Sequence, residues 1–553
     1  MTKPCLICSL SFTIEDSDFL FFEKMGVPSP TLCPNCRAQR RMSWSNQTHL
    51  HKNTCVLSGK TVISNYAPDC GYPVMDAALW YGDGWDPYAT GRDFDFSRSF
   101  FEQFEELNRV APRPNLHRGY AFDENADYTN YAGKNKNCYL IFDADNCRDC
   151  YYSYSTNACE STLDCFRVRN SELAYECIDS SNCYHVAYLQ NCKNCSDSYF
   201  LKNCIGCQNC FGSINLRNKK YYFNNQPLSK EEYELQVQSM NLGSYSSVQE
   251  LARQFSQIAA QGSYRSIEGV QNENVLGNYL MECKNAKECW DSVNLWDCKY
   301  VQQTFDNAKD CMDCTEVGDG VELMYDTCYI GYTAQNIRFS THGLGQMSYL
   351  DYCMHCPNSS YMFGCVGLRK SQYCILNKKY SPEDFETTKT RIIEHMKSTG
   401  EWGEFFPTTI SPFPYNETHA FDYFPMSREE VVARGWKWVD APSAETRLIA
   451  SVPEIPDKIS EVGDDVCAKI LSCKECQKAY KIIPGELKIN RMVGLPLPQT
   501  CFQCRHQKRL AKRNPRKLWD RQCAQCAVAL KTSYAPERTE KVLCDKCYEQ
   551  VLD

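Results

Sequence analysis

Sulfur is the chemistry-bearing element at both ends of this chain, where cysteines fall in C-x2-C pairs. Such a pair places two thiolates on one side of a turn, and two pairs supply the four ligands that zinc accepts from sulfur at about 2.3 Å. Three sets of two pairs have this spacing. In chain order, the candidate ligands are Cys5, Cys8, Cys33, Cys36; Cys473, Cys476, Cys501, Cys504; and Cys523, Cys526, Cys544, Cys547. The spacing predicts about three Zn²⁺ ions per chain.

The two ends are copies of each other at a constant offset of 468 in residue number. Besides the first cysteine tetrad, Gly26 matches Gly494, and Tyr66-Ala67-Pro68 matches Tyr534-Ala535-Pro536. One register held over so long a stretch indicates an internal duplication. Each copy has the size and cysteine spacing of a treble clef or zinc ribbon, whose folding depends on its metal because so small a module has little core.

The second tetrad has decayed in the N-terminal copy, where its positions hold Cys55, Ser58, Asp76 and Leu79. Two alternatives follow. Nearby ligands could rebuild a shell around Cys55, because imidazole and thiolate both bind zinc; these ligands are Cys70, His49 and His51. Otherwise the loop collapses without metal.

A basic stretch joins the two C-terminal tetrads, and it consists of Arg505, Lys508, Arg509, Lys512, Arg513, Arg516, Lys517 and Arg521. If the second C-x2-C pair opens a helix, several of these cations share one face and could contact the phosphates of RNA or DNA. A solvated helix face is the alternative interpretation. The chain as a whole has a net charge of -8, so any polynucleotide contact must be local.

No catalytic motif is evident in the sequence, which lacks G-x-x-x-x-G-K-[ST], H-E-x-x-H and G-x-S-x-G. The acidic residues Asp83, Asp86, Asp93 and Asp95 have no spacing that fits a known constellation, and an acidic turn before a helix explains them. The sequence therefore predicts no catalytic residue and favours a binding role.

The region between the modules is periodic. Between residues 138 and 210 every interval between cysteines is a multiple of three. Rows of 18 align Cys147 with Cys165 and Cys183, which predicts a parallel β-solenoid with about 18 residues per coil and a cysteine ladder inside it. Free thiols packing as small apolar groups are the first interpretation of that ladder, and metal or redox chemistry is the alternative.

A second solenoid segment is expected around residues 270 to 377, because Phe211 and Phe363 begin similar endings at a constant offset of 152 in residue number. Its cysteines lose strict register, which indicates insertions. Helices should close both segments, since Ser229 with Glu232 forms a capping box and Ser381 precedes a proline. Another helix is expected from Val248.

These observations predict a multidomain, mainly β protein in which two duplicated modules flank a two-segment β-solenoid with capping helices. The absence of a secretory signal or an apolar membrane span favours a cytoplasmic protein. The expected segments are a one-site zinc module at 1–80, a linker with an amphipathic helix at 81–134, solenoid segments at 135–226 and 263–377 with a helical insert at 227–262, a capping helix and Pro/aromatic strap at 378–440, a linker at 441–466, and a two-site zinc module at 467–553.

Five strings carry a resemblance over most of the chain: CPNCRAQRR, GRDFDFSRSFFEQF, NLRNKKYYFNNQPLSKEEY, GEWGEFF and RNPRKLWDRQCAQC. Together they resemble a group of uncharacterised cysteine-rich proteins from candidate-phylum bacteria with reduced genomes. The resemblance implies this architecture and brings no activity or catalytic residue.

The functional hypothesis from the sequence is a non-enzymatic zinc-binding scaffold that contacts RNA or DNA through the C-terminal basic stretch. Two alternatives stay open: a protein-interaction platform on the solenoid face, and a metal or thiol storage protein. Metal stoichiometry separates storage from the other two, because structural sites predict about three zinc ions per chain.

Overall fold

A computed structural model describes residues 1–119, 121–440 and 454–552. The chain divides into two compact units, one formed by Met1–Asn115 with Ile267–Val439 and the other by Leu116–Ser266 with Asp440–Asp553. The N-terminal cysteine module therefore shares a unit with the second repeat segment, and the C-terminal module shares one with the first. Part of the predicted linker, residues 441–453, lies outside the described residues.

The first unit is mainly β. Its strands are Thr2–Pro4, Ser11–Thr13, His51–Thr54, Thr61–Ser64, Val74–Met75, Arg113–Pro114, Gly269–Val270, Leu276–Met281, Lys284–Val293, Leu295–Gln302, Ala308–Gly318, Val321–Gly331, Ala334–Arg338, Thr341–Leu344, Met347–Asp351, Ser360–Phe363, Gln372–Ile375 and Lys378–Lys379. Its helices are Asp16–Met25, Pro34–Met42, Ala77–Tyr81, Phe100–Val110, Pro382–Thr399, His419–Tyr423 and Arg428–Ala433, with 3-10 turns at Thr408–Ile410 and Tyr415–Glu417.

The second unit has the same kinds of element. Its strands are Arg118–Gly119, Tyr128–Gly133, Tyr139–Asp145, Phe166–Arg169, Glu172–Tyr175, Ile178–Ser181, Tyr184–Ala187, Ser196–Lys202, Gln208–Ile214, Lys220–Phe223, Gln226–Pro227, Ser263–Arg265, Leu471–Ser472, Ala479–Tyr480, Trp519–Gln522, Ala529–Thr532 and Lys541–Leu543. Its helices are Lys230–Ser239, Tyr245–Ala260, Pro484–Val493, Phe502–Ala511 and Asp545–Leu552, with 3-10 turns at Ile459–Glu461 and Asp464–Ala468.

Each repeat segment is a parallel ladder, named here the first ladder (118–223) and the second ladder (269–375). In the first, Phe166 pairs with Ile178, Ile178 with Gln190, and Gln190 with Lys202, so successive rungs are 12 residues apart. In the second, the spacing runs from 11 to 13 residues, as the broken cysteine register predicted. The coil length predicted from the sequence is therefore wrong. Rows of twelve and rows of eighteen both keep the first ladder's cysteines in inward-facing columns, because both numbers are multiples of three.

The true repeat unit is three residues. From Asn182 to Phe200 every third residue has a positive φ, between 48° and 60°. This left-handed conformation favours asparagine, aspartate and glycine, and each rung of the first ladder contains four such positions. Gly364 shows why glycine takes this position where another element packs closely, since its φ is 63° and a Cβ there would lie 2.9 Å from the Phe100 ring.

The residue two positions before each left-handed one points into the ladder, and cysteine fills many of these sites. The Cys165 thiol lies 3.6 Å from the Leu163 carbonyl oxygen and 3.4 Å from that of Ala174, so it is placed to donate a hydrogen bond within the core. Serine makes the same kind of contact at Ser171, whose hydroxyl donates a hydrogen bond to the Arg169 carbonyl. Small side chains with one donor thus satisfy carbonyls in a narrow core.

Burial holds two thiols of the second ladder in their neutral form. Burial raises the pKa of the Cys289 thiol well above its ordinary range. It also raises the pKa of Cys374 to about 12. Because the thiolate is the reactive and metal-binding form, these two cysteines act as packing residues.

Helices follow both ladders as predicted. The Ser229–Glu232 capping box forms at Lys230–Ser239, and Ser381 caps Pro382–Thr399. The helix expected from Val248 begins earlier, at Tyr245, because Ser244 is the N-cap and accepts a hydrogen bond from the Ser247 backbone.

Candidate metal centres and their docking helices

The cysteine modules have the same elements in the same order, at the constant offset that relates their sequences. The first C-x2-C pair of each tetrad lies in a tight turn. The backbone N–H four residues after the first cysteine donates to that cysteine's carbonyl, from Ser9 to Cys5 (2.9 Å) and from Gln477 to Cys473 (3.0 Å). Ser9 and Gln477 both have a φ of 61°, which completes the turn.

The second pair of the first tetrad lies at the start of a helix in both modules. Cys33 is the N-cap of Pro34–Met42 and Cys501 is the N-cap of Phe502–Ala511. We call these two segments the arginine helices. Cys36 and Cys504 lie in the first turns of these helices, so each helix positions two of the four sulfurs of its tetrad.

Among the described residues, three groups of cysteines converge, each with all sulfurs within 4.8 Å of one another. The groups are Cys5, Cys8, Cys33, Cys36; Cys473, Cys476, Cys501, Cys504; and Cys523, Cys526, Cys544, Cys547, as predicted. The Cys8–Cys33 and Cys473–Cys504 sulfurs are 3.7 Å apart, close to the ~3.8 Å edge of a tetrahedron with metal–sulfur bonds of about 2.3 Å. All twelve are free thiols, so the tetrads fit a bound metal ion.

The decayed site keeps its turn without a tetrad. Gly59 donates to the Cys55 carbonyl at 2.9 Å, as Ala527 does to Cys523. Cys55 packs with Met75 and Trp80 in an apolar cluster.

The ligands that could have rebuilt this site have other contacts, since His51 lies 2.9 Å from Glu417 and Cys70 faces the Tyr72 carbonyl. Cys55, Cys70, His49 and His51 form no group of three close ligands among the described residues. The structure therefore does not assemble a second ligand shell around Cys55.

The N-terminal arginine helix is held on the second ladder by buried ion pairs. Arg37 lies 2.9 Å from Asp313, and Arg41 lies 2.8 Å from Asp326; these side chains are at most 2% exposed. Burial alone would lower the pKa of Arg37, but the Asp313 carboxylate outweighs it and raises that pKa. The two carboxylates belong to adjacent rungs, so two arginines one helical turn apart contact two rungs.

The C-terminal arginine helix docks on the first ladder in the same way. Arg505 and Arg509, the counterparts of Arg37 and Arg41, each lie 2.9 Å from Asp164. Arg509 also contacts Glu176 at 3.3 Å, one rung further along. Arg505 lies over Tyr152 as Arg37 lies over Tyr300. Both ladders thus present a tyrosine and two acids to a helix of the docked module.

This docking corrects part of the predicted polynucleotide surface. Arg505, Arg509 and Arg513 are buried, and Arg513 pairs with Asp179 at 2.8 Å. Their charges are neutralised by carboxylates of the ladder, which leaves them unable to contact phosphates. Of the other five predicted contacts, Lys508, Lys512 and Lys517 are exposed, and Arg516 and Arg521 are half-buried.

Sequence reasoning missed the ladder acids. Asp164, Glu176, Asp313 and Asp326 are scattered among many acidic residues, and no motif marks them. Their signal is positional. In each ladder the two acids occupy left-handed positions one and two rungs after a left-handed tyrosine, Tyr152 in the first ladder and Tyr300 in the second. Detecting it requires the correct spacing between rungs.

Comparisons with known proteins give no family for this chain. No family model matches it, and no curated protein matches it. Among solved structures, a crystal structure from Desulfovibrio desulfuricans G20, provisionally described as an acetyltransferase, is similar at 8% identity over 52% of this chain and 82% of that one, with a TM-score of 0.10. A likeness this weak carries no argument.

Among the described residues, no helix has both the length and the apolar character needed to cross a bilayer.

Proposed function

We propose that this protein is a zinc-binding scaffold, in which Zn²⁺ in the three tetrads folds cysteine modules that dock on two β-solenoids. Three cysteine groups able to hold metal are a feature of the structure. Zinc is the ion proposed because four thiolates at tetrahedral spacing are its usual structural ligands. Each ladder is proposed to be a solenoid with four sides of three residues.

The repeated docking arrangement is the observation that carries the proposal. The same pair of arginines, four residues apart on the helix that begins at a ligand cysteine, meets acids on two adjacent rungs in both units. Metal binding and docking are therefore linked through one helix. The sulfurs fix its first turn and the carboxylates hold its face.

A protein is the partner class we favour. The ladders offer long faces of regularly spaced side chains, as in other repeat proteins that bind extended surfaces. The polynucleotide hypothesis loses Arg505, Arg509 and Arg513 to ion pairs. It stays a prediction that rests on the exposed lysines Lys508, Lys512 and Lys517.

Hydrogen exchange of the full chain before and after chelation tests the scaffold proposal. With metal removed, both arginine helices should lose amide protection, because their first turns lose the thiolate anchor. The rungs that carry Asp164 and Asp313 should lose protection with them. Unchanged protection of both helices after complete metal removal would contradict the proposal, and a Cys467→Ser variant is the matched control because Cys467 belongs to no tetrad.

A further inference from the structure

The third tetrad differs from the other two in exposure. It is formed by Cys523, Cys526, Cys544 and Cys547, and it is the one tetrad of the three with an exposed cysteine, Cys526. Cys544 is half-buried beside it. In the other tetrads every cysteine is buried or half-buried. A metal ion here is the most accessible to water and to competing ligands.

The elements around this tetrad hold a specific chain segment. The strand Lys541–Leu543, which runs directly into Cys544, pairs in parallel with Ser263–Arg265. Lys541 donates to the Gly262 carbonyl at 3.1 Å, and Ser266 donates to the Leu543 carbonyl at 2.9 Å. The segment is thus held along its whole length by the residues preceding a metal ligand.

The helix that follows Cys544 adds side-chain contacts to the same region. Arg265 lies 3.1 Å from Asp545, the first residue of that helix. The Tyr548 hydroxyl, next to the ligand Cys547, accepts hydrogen bonds from Asn203 and from Arg217 (3.1 Å) at the end of the first ladder. The strand before Cys544 and the helix after it therefore both contact the first ladder or the segment that follows it.

The segment 262–266 has a special place in the chain, because the second ladder begins three residues later, at Gly269. The N-terminal module holds the equivalent segment, Arg113–Pro114, which directly precedes the first ladder. It does so with the strand Val74–Met75, again in parallel. Each module thus pairs one of its strands with the strand that precedes a ladder in the chain.

The N-terminal module makes this strand pairing without a cysteine tetrad. Its decayed site packs Cys55, Met75 and Trp80 into an apolar cluster, and Asp76 caps the helix that follows. The C-terminal counterparts of Met75, Asp76 and Trp80 are Leu543, Cys544 and Tyr548. One fold therefore makes the same strand pairing in two ways, and only the C-terminal copy makes it through four cysteines.

From these observations we propose that the third tetrad is an exchangeable metal site that acts as a clasp on Ser263–Arg265. When the ion is bound, Lys541–Leu543 and Asp545–Leu552 are held against the segment; when it leaves, the segment is released. The ions of the other two tetrads stay bound. This inference rests on the proposed function, because it requires that the tetrads bind metal.

The test removes zinc stepwise from the full chain with increasing chelator. At each step a colorimetric assay measures the zinc released, and hydrogen exchange measures the protection of the backbone amides. One of three ions should leave first. In that step amides of 262–266 and Asp545–Leu552 should exchange at least tenfold faster, while Phe502–Ala511 stays protected. Simultaneous loss of all three ions, or a first loss that leaves 262–266 protected, would overturn the clasp.

Variants separate this proposal from the general one. Cys526→Ser should lower the zinc content from three to two and abolish the early release step, whereas Cys467→Ser should leave both unchanged. If the folded chain contains no zinc, the proposed function itself is contradicted. If three ions are bound and all leave equally readily, only the clasp proposal is contradicted.

Discussion

At the scale of single residues, arginines are the side chains that connect metal binding to the rest of the fold. Two arginines in each module place positive charge in a fully buried site. This burial is tolerated because ladder carboxylates form ion pairs with the arginines. The cost of burying charge makes each pair sensitive to loss of one partner. Exposed lysines such as Lys512, at the end of the C-terminal arginine helix, carry no such dependence.

Replacing Arg509 by alanine should therefore destabilise the second unit by about 3 kcal/mol, because the buried Asp164 carboxylate loses one of its two arginine partners and Glu176 loses its contact with Arg509. Lys512→Ala, three residues along and exposed, should change stability by less than about 0.5 kcal/mol. Urea unfolding of both variants measures the difference. Equal midpoints for Arg509→Ala and the unmodified chain would show that the ion pairs do not hold the helix.

At the scale of elements, the ladder is set by a three-residue rhythm in which one residue points inward and the last is left-handed. Asn194, with a φ of 54°, is such a left-handed residue on the surface. Lys193 precedes it in extended backbone and bridges to Ser181. The two positions differ by one residue and need opposite backbone conformations.

Valine at these two positions gives a matched comparison. Asn194→Val should cost about 1–2 kcal/mol, since a β-branched residue is strained in the left-handed region, while Asn194→Gly should be nearly neutral. Lys193→Val should be tolerated, because valine favours extended backbone. Thermal unfolding of the three variants checks the rhythm, which would be refuted if Lys193→Val were the more destabilising valine substitution.

The repeat was predictable from the sequence as a pattern of threes, but its coil length was not. Any row length that is a multiple of three keeps the cysteines in inward-facing columns. Rows of eighteen align Cys147 with Cys165 and Cys183, and rows of twelve align Cys147 with Cys159 and Cys183. Hydrogen bonding between rungs decides the length, and the sequence does not encode it locally. The cysteine modules were predictable because ligand spacing and the duplication of the module both leave direct marks in the sequence.

At the scale of the whole molecule, the sequence order of the segments does not match their grouping into units. The N-terminal module is followed by the first ladder, yet it forms a unit with the second. Sequence reasoning could not find this pairing because both ladders carry an acid pair that suits two arginines. Asp164 with Glu176 and Asp313 with Asp326 are chemically equivalent partners for Arg37 and Arg41.

The metal content of the purified chain tests the central claim most directly. Elemental analysis should find three zinc ions per folded chain, and two in each of the single variants Cys36→Ser, Cys504→Ser and Cys526→Ser. The account would be contradicted by a folded chain that contains no metal, or by metal whose amount does not respond to these substitutions.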